Sequence, residues 1–416
     1  MTRLAVNLLS LVPGDVGGAE EYAVRTLTAY GRHGPSDLRP IVYLSRAALD
    51  AHPDLGQAFD VEVHPADGRS RPRRILAEST WLARRTADMA VHHFGGRIPA
   101  RTGQPVAVTI HDLQPLDHPE NFPLVKRRYL GLALPRSIRR ADLVVAVSDH
   151  VGRRIVDRLG VDPGRVVTVP IGTETVVAEP AHPSDPPTIL YPAVTHPHKN
   201  HVMLVEAFTL LADHHPTVRL VLTGAAGAAD AEVDSAIAAS RHGDRITRPG
   251  RIPADDLAAR LVAATVVAFP STYEGFGIPV LEAMAAGVPV LVAEGTPAAD
   301  LVAGPGADSR GADPSAGLGT GLDADQAAVL DPHDPQAWAE RLGRILDDSA
   351  HRTSLADLGL KAAADHTWEA SAAALEQAWR RLIAADPARS SSGDAAGPLA
   401  GKSLEPGPGP GTGQGA

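Results

Sequence analysis

The chain has 416 residues, 39 of them glycine and 36 proline, with no cysteine, 44% hydrophobic residues and a net charge of −10. The lack of cysteine excludes a disulfide scaffold, a thiolate zinc site and a cysteine nucleophile, and fits a reducing compartment. The apolar content excludes wholesale disorder, the length suggests two domains, and the acidic balance argues against a general nucleic-acid binder. No stretch reaches the roughly 20 apolar residues of a membrane span, so a cytoplasmic protein is expected. The apolar N-terminus is broken by Asn7 and reads as a first strand running into a glycine loop rather than as a signal peptide.

In chain order, short β-rich runs alternate with helical patterns. Strands are predicted at Leu4–Leu9, Pro40–Leu44, Val61–His64, Met89–Phe94, Val106–Ile110, Leu143–Val147 and Val166–Val169. After the first, Ala23, Leu27 and Tyr30 share a helical face, and Gly31 and Gly34-Pro35 are predicted to stop that helix. A proline-rich polar stretch over 179–187 reads as a linker. The rhythm then restarts with strand Thr188–Tyr191, helix Val202–Leu211, strand Val218–Thr223 and a helix from Asp255. Strand Thr265–Phe269, a helix from Pro279 and strand Val288–Val292 follow. Continuous Val/Ile/Leu strands separated by helices mean parallel sheets covered on both faces.

The expected fold class is therefore α/β: two Rossmann-like doubly wound domains in series, over 1–178 and 188–366. The Gly-rich segment 304–325 reads as an insertion, and 386–416 as a disordered tail. Leu375, Trp379, Leu382 and Ile383 form the apolar face of a last helix over 367–385. The charge divides with the domains: residues 1–178 carry 23 basic and 19 acidic side chains, the remainder 16 and 30.

The sharpest motif is STYEGFGIPVLEAMAAGVPV at 271–290, at the carboxyl end of a predicted strand, where open α/β sheets bind ligands. Gly275 and Gly277 permit close backbone approach, Pro279 suits a first helical turn, and the helix N-terminus is an anion site. Glu274 and Glu282 could bind hydroxyls on either side of a phosphate; the plain alternative is a βαβ turn with solvated or capping acids. A second motif, ILYPAVTHPHKNHVMLVEAF at 189–208, holds Lys199, one of only four lysines, before a helix that Asn200 could cap. A lysine there suits a phosphate as a point charge, against the alternative of a solvated surface lysine.

A third motif, VAVTIHDLQPLDHPENFP at 106–123, ends a strand in His111-Asp112. A fourth, GDVGGAEEY at 14–22, sets Gly17-Gly18 before a helix, suited to an anion but without the G-x-G-x-x-G spacing of dinucleotide binders. Asp323 and Asp325 form a D-x-D inside the insertion with no strand to position it, and no other metal-ligand spacing stands out, so no metal is expected. His214 and His215 read as solvated. Two basic runs stand out: Arg69, Arg71, Arg73 and Arg74 with Arg84 and Arg85, then Lys126, Arg127 and Arg128 with Arg136, Arg139 and Arg140. The second is interleaved with Tyr129, Leu130, Leu132 and Leu134, and reads either as a solvated helix face or as a surface for anionic lipid.

The segment EGFGIPVLEAMAAGVPV closely resembles the E-x7-E donor motif of retaining GT-B glycosyltransferases, specifically glycosyltransferase family 4, and the likeness extends from about residue 3 to about 385. The resemblance implies the GT-B fold: an acceptor-side N-terminal domain and a nucleotide-sugar donor domain facing each other across a cleft, with the last helix packing back toward the N-terminal domain. It implies that Glu274 contacts the transferred sugar, that Glu282 binds the ribose, and that the backbone of Phe276, Gly277 and Ile278 faces sugar and phosphates. Lys199 would bind the diphosphate, Gly17 and Gly18 would approach the phosphates from the opposite domain, and His111 would face the donor sugar. Asp112 would be its neighbour or an acceptor-side base, and His118, Glu120 and Asn121 would shape the acceptor pocket. The family commonly has an arginine five or six residues before the lysine, where this chain has Val194 and Ala193. His196 or His198 would substitute.

The resemblance thus implies retaining hexose transfer from a nucleotide sugar, with GDP-mannose first, because HDLQPLDHPENF and HKNH look most like mannosyl- and related hexosyltransferases. The acceptor would be a glycan, lipid-linked or small-molecule hydroxyl in polysaccharide biosynthesis. The nucleotide sugar is a substrate, and no cofactor is expected. Peripheral contact with anionic membrane through the Arg-rich N-terminal domain is expected, nucleic acid is not. The missing arginine leaves two alternatives open: a non-catalytic GT-B protein that binds a sugar nucleotide or supports a partner transferase, and a GT-B sugar-nucleotide epimerase.

Overall fold

A computed structural model describes residues 3–14, 17–65, 68–99, 104–174, 184–303 and 328–384. The expected insertion with Asp323 and Asp325, the tail, and all of the linker but residues 184–187 lie outside the described residues.

The β-branched runs form two parallel sheets. The first holds β1 (Arg3–Asn7), β2 (Ile41–Ser45), β3 (Asp60–His64), β4 (Met89–His93), β5 (Val106–Ile110), β6 (Leu143–Ala146) and β7 (Val166–Thr168), in the order β3-β2-β1-β4-β5-β6-β7. The second holds β8 (Thr188–Pro192), β9 (Arg219–Thr223), β10 (Ile246–Gly250), β11 (Val266–Phe269), β12 (Val290–Ala293) and β13 (Val329–Leu330), in the order β10-β9-β8-β11-β12-β13. Ala5 of β1 pairs with Ile41 on one side and Val91 on the other, at the centre of the first sheet. Strand order reverses between β1 and β4 and again between β8 and β11, and the crevice beyond the carboxyl ends of such strands is where this architecture takes ligands. These are two doubly wound sheets in series.

Among the described helices are α1 (Gly18–His33), α2 (Arg71–Ala77), α3 (Leu124–Arg140), α4 (Asp149–Leu159), α5 (His201–Ala212), α6 (Ile278–Ala285) and α7 (Trp368–Ala384). Gly31 does not stop α1. It lies inside the helix, where a Cβ would come 2.6 Å from Ala58 Cβ, so glycine serves close helix packing and the stop falls at Gly34. Asn200 stands at the N-cap position of α5, but its side chain does not cap. Its φ is 57°, and its Nδ2 donates to the carbonyls of Pro332 at 2.7 Å and Pro270 at 3.3 Å, tying three loops together. His215 is only half-solvated, with its ring 3.7 Å from Asp347.

The first sheet is closed by a helix from the far end of the chain. α7 packs on α1, and fully buried Trp379 sets its ring edge on Tyr30 at 4.7 Å and donates Nε1–H to His92 Nδ1 at 2.9 Å. With Nδ1 accepting, His92 carries its proton on Nε2 and donates to Thr109 Oγ1 at 2.8 Å, so a buried strand histidine is fully satisfied. Among the described residues no helix is long and apolar enough to cross a membrane.

Candidate active site at the domain cleft

Both switch-point strands of the second sheet end in the cleft. β8 leads into the loop carrying Lys199, and β11 into Ser271–Gly277 carrying Glu274. Lys199 Nζ lies 2.5 Å from Glu274 Oε1, with both side chains largely shielded from solvent. The two residues expected on different parts of a donor thus hold each other. Ser271 and Thr272 fasten the loops together by bonding to the His198 carbonyl, Thr272 through its backbone N–H at 2.8 Å. Gly277, at φ 111°, turns the chain into α6, whose N-terminus faces the N-terminus of α1: a Cβ on Gly18 would meet Ile278 Cδ1 at 3.1 Å. Gly17, the α1 N-cap, lies exposed beside it at φ 54°. Two positive helix ends and one lysine therefore converge on one gap, an environment for a diphosphate.

Phe276 is the site residue whose side chain turns away: it is buried against the His366 ring, leaving only backbone toward the cleft. Burial and the Lys199 charge push His198 down to about 3, and the same causes lower His196. Both are driven toward the neutral imidazole, able to donate a hydrogen bond but not to replace the positive charge of an arginine.

Across the cleft, His111 follows β5. Burial pushes it down to about 4, and one ring N–H donates to the Phe94 carbonyl, which leaves the other nitrogen able to accept a hydrogen bond. Asp112 beside it is raised by burial, and its Oδ1 accepts from the Gln114 N–H at 2.9 Å. His118 pairs with Glu120 at 3.1 Å on the more exposed side of Tyr273, and Asn121 is exposed nearby.

Tyr273, unremarked within its motif, joins the domains: its hydroxyl donates to Asp117 at 3.0 Å and accepts from the Leu113 N–H at 3.1 Å. Arg154 pairs with the same Asp117 at 2.8 Å, Ser148 Oγ donates to the Gly275 carbonyl at 2.9 Å, and Arg153 pairs with Asp300 at 2.5 Å. A Cβ on Gly275 would lie 2.1 Å from the His111 carbonyl oxygen. Gly275→Ala is therefore expected to hold the domains apart and lower turnover about 10²-fold, the cost of an ångström-scale misplacement. Small-angle scattering would show the wider cleft.

Glu282 lies one turn into α6, and burial, reinforced by Glu21 of the opposite domain, raises it to about 7. In the role the family resemblance implies for it, Glu282 would accept two ribose hydroxyls only as the ionised carboxylate. Nucleotide affinity is therefore expected to fall up to roughly tenfold per pH unit below 7, and Glu282→Gln should flatten that dependence. Titration calorimetry at pH 6 and pH 8 reads both.

Sequence reasoning missed the basic wall beyond His111. Arg71 and Arg74 of α2 and Arg97, after β4, line a cavity of about 210 Å³ with His111 and Asp112. Arg97 is ion-paired with Glu78, which is 2% exposed, and Glu78 Oε1 also accepts from Asn7 Nδ2 at 3.1 Å. These residues come from separate segments, and only the Arg-rich run hinted at them.

Residues 16–176 match the model for glycosyltransferase family 4, and residues 173–361 match that for glycosyl transferases group 1. The chain is 28% identical to a D-inositol 3-phosphate glycosyltransferase of Kineococcus radiotolerans, over 89% of this chain and 92% of the relative. It is 27% identical to the O-antigen chain mannosyltransferase B of Escherichia coli, over 72% and 74%. Sucrose-phosphate synthase from Thermosynechococcus elongatus shares the fold with a TM-score of 0.67 at 20% identity, over 92% of this chain and all of that one. Adjoining matches to both halves, on two sheets meeting at this cleft, place the chain in the group 1 glycosyltransferases of the GT-B fold, which transfer a sugar from a nucleotide sugar.

Proposed function

We propose that the protein is a retaining hexosyltransferase that moves mannose from GDP-mannose to an acceptor hydroxyl in the cytoplasm, without a resident metal or cofactor. The observation that carries this reading is the convergence of Lys199, Glu274 and two helix N-termini opposite His111 in one cleft. The Escherichia coli relative, a mannosyltransferase by name, supports the choice of sugar.

In the reaction, the acceptor oxygen bonds to the anomeric carbon on the face from which the diphosphate departs, and the acceptor proton passes to a departing phosphate oxygen. Negative charge develops on the diphosphate, where Lys199 and the N-termini of α1 and α6 stabilise it. The diphosphate competes with Glu274 for Lys199 and frees that carboxylate to hold a sugar hydroxyl. Neutral His111 accepts from another and orients the ring. Domain closure over the donor excludes water that would otherwise hydrolyse it.

A panel of nucleotide sugars in a thermal-shift assay tests the donor, since a specific ligand stabilises by mass action. GDP-mannose is expected to give the largest shift, and NMR of the product to show an α-linked mannose. A larger shift with a UDP- or dTDP-sugar, or an inverted anomeric centre, contradicts the corresponding half of the proposal.

A further inference from the structure

We propose that the acceptor is an anionic amphiphile whose phosphate lies on Arg71, Arg74 and Arg97 beside His111 and whose hydrocarbon chain runs along the apolar groove between α2 and the start of α3. The inference rests on the transferase reading above and narrows its acceptor side.

Two adjoining hollows carry it. The 210 Å³ cavity has His111 and Asp112 on one wall and the three arginines on another. Arg97 is occupied by buried Glu78 and so held in place. Among the described residues, no carboxylate pairs with Arg71 or Arg74; Arg74 donates only to the Gly68 carbonyl at 3.1 Å, and burial lowers its affinity for a proton. Arg74, partly desolvated and without a counter-charge, carries a cost that a bound phosphate removes through charge-assisted hydrogen bonds, with exposed Arg71 free to close on the same anion.

The second hollow is a groove of about 700 Å³ walled by Ile75, Leu76, Val125 and flanking prolines. Arg71 and Tyr129 line both hollows, and the Arg71 guanidinium sits 5.9 Å over the Tyr129 ring, so the path from phosphate site to groove is continuous. Leu76 and Val125 are 62% and 84% exposed, large apolar side chains left in water. Clustered exposure of this kind marks a binding surface. A free anion makes no use of the groove, and a neutral chain makes no use of the arginines; one molecule carrying both uses each.

The test is titration calorimetry of the full chain with decyl phosphate below its micellar concentration, inorganic phosphate, and neutral decyl maltoside. Decyl phosphate is expected to bind at least tenfold more tightly than either of the others. Arg71→Ala and Leu76→Glu, both at exposed positions, are each expected to weaken it at least tenfold with thermal midpoints unchanged. Equal binding of inorganic phosphate overturns the groove's role, equal binding of decyl maltoside overturns the arginines' role, and no binding of decyl phosphate overturns the whole inference. Capture on phosphatidylglycerol vesicles that decyl phosphate fails to displace makes this face a membrane-docking surface instead and also overturns it. Nucleotide-sugar binding by the unmutated protein is read in parallel. If that is present and decyl phosphate binding is not, only the acceptor inference fails; if it is absent, the transferase reading fails and takes the inference with it.

Discussion

Lys199→Ala is expected to lower the rate of sugar transfer about 10²–10³-fold. In the proposed reaction it supplies a side-chain charge for the departing diphosphate, since burial and Lys199 itself push His196 and His198 toward the neutral form and Val194 stands where relatives in the family commonly place an arginine. Removing one preorganised electrostatic stabiliser of developing charge commonly costs that much. The loss should fall mainly in kcat, because the interaction strengthens as the phosphate bond breaks. The substitution also leaves Glu274 without its partner at 2.5 Å. Steady-state kinetics with the best donor of the panel reads the loss. An unchanged kcat would mean that another group holds the diphosphate.

Trp379→Ala is expected to destabilise the protein by about 3–5 kcal/mol, the usual cost of emptying a fully buried indole site. The ring fills the space between Tyr30 and the first sheet, and its N–H fixes the tautomer of His92. Truncation therefore adds an unsatisfied buried nitrogen to a cavity. Trp379→Phe keeps much of the volume and removes only the donor, so about 1–3 kcal/mol is expected. Because α7 belongs to the far end of the chain yet completes the N-terminal core, the N-terminal domain should lose stability first. Thermal melts followed by tryptophan fluorescence and by far-ultraviolet circular dichroism would show this as a lowered, separated first transition. Coincident, unshifted transitions would contradict it.

The strands most legible in the sequence are those buried on both faces. Val106–Ile110 has the predicted bounds, and Leu143–Ala146 differs by one residue, because a continuous β-branched run has no other stable use in a chain of this rhythm. β10 and β13 escaped the sequence reading. Ile246–Gly250 carries Arg248 and Pro249 and stands at a sheet edge, where a proline is tolerated; Val329–Leu330 is two residues long and also at an edge. Gly31 misled because a glycine required for helix–helix contact looks, in one dimension, like one that ends a helix.

In the site, strand–loop–helix order alone brings Lys199, Glu274 and His111 to carboxyl ends of parallel strands. The ion pair between the first two, and the turning-in of Phe276, depend on side-chain packing between loops 75 residues apart in sequence and had no local signature. The same holds for Arg97, brought beside His111 by the adjacency of β4 and β5, and for Arg71 and Arg74, which reach the same cavity from α2.

The most direct test of the central claim is release of nucleoside diphosphate from a nucleotide sugar by the unmutated protein, beside Glu274→Ala and His111→Ala. The two side chains belong to different domains and different strand ends, and act on one sugar only if the cleft is a transfer site. Measurable release by the unmutated protein is expected, with at least a roughly 100-fold loss in each variant and nucleotide binding retained. Binding of a nucleotide sugar without any release by the unmutated protein, or full activity in both variants, would contradict it.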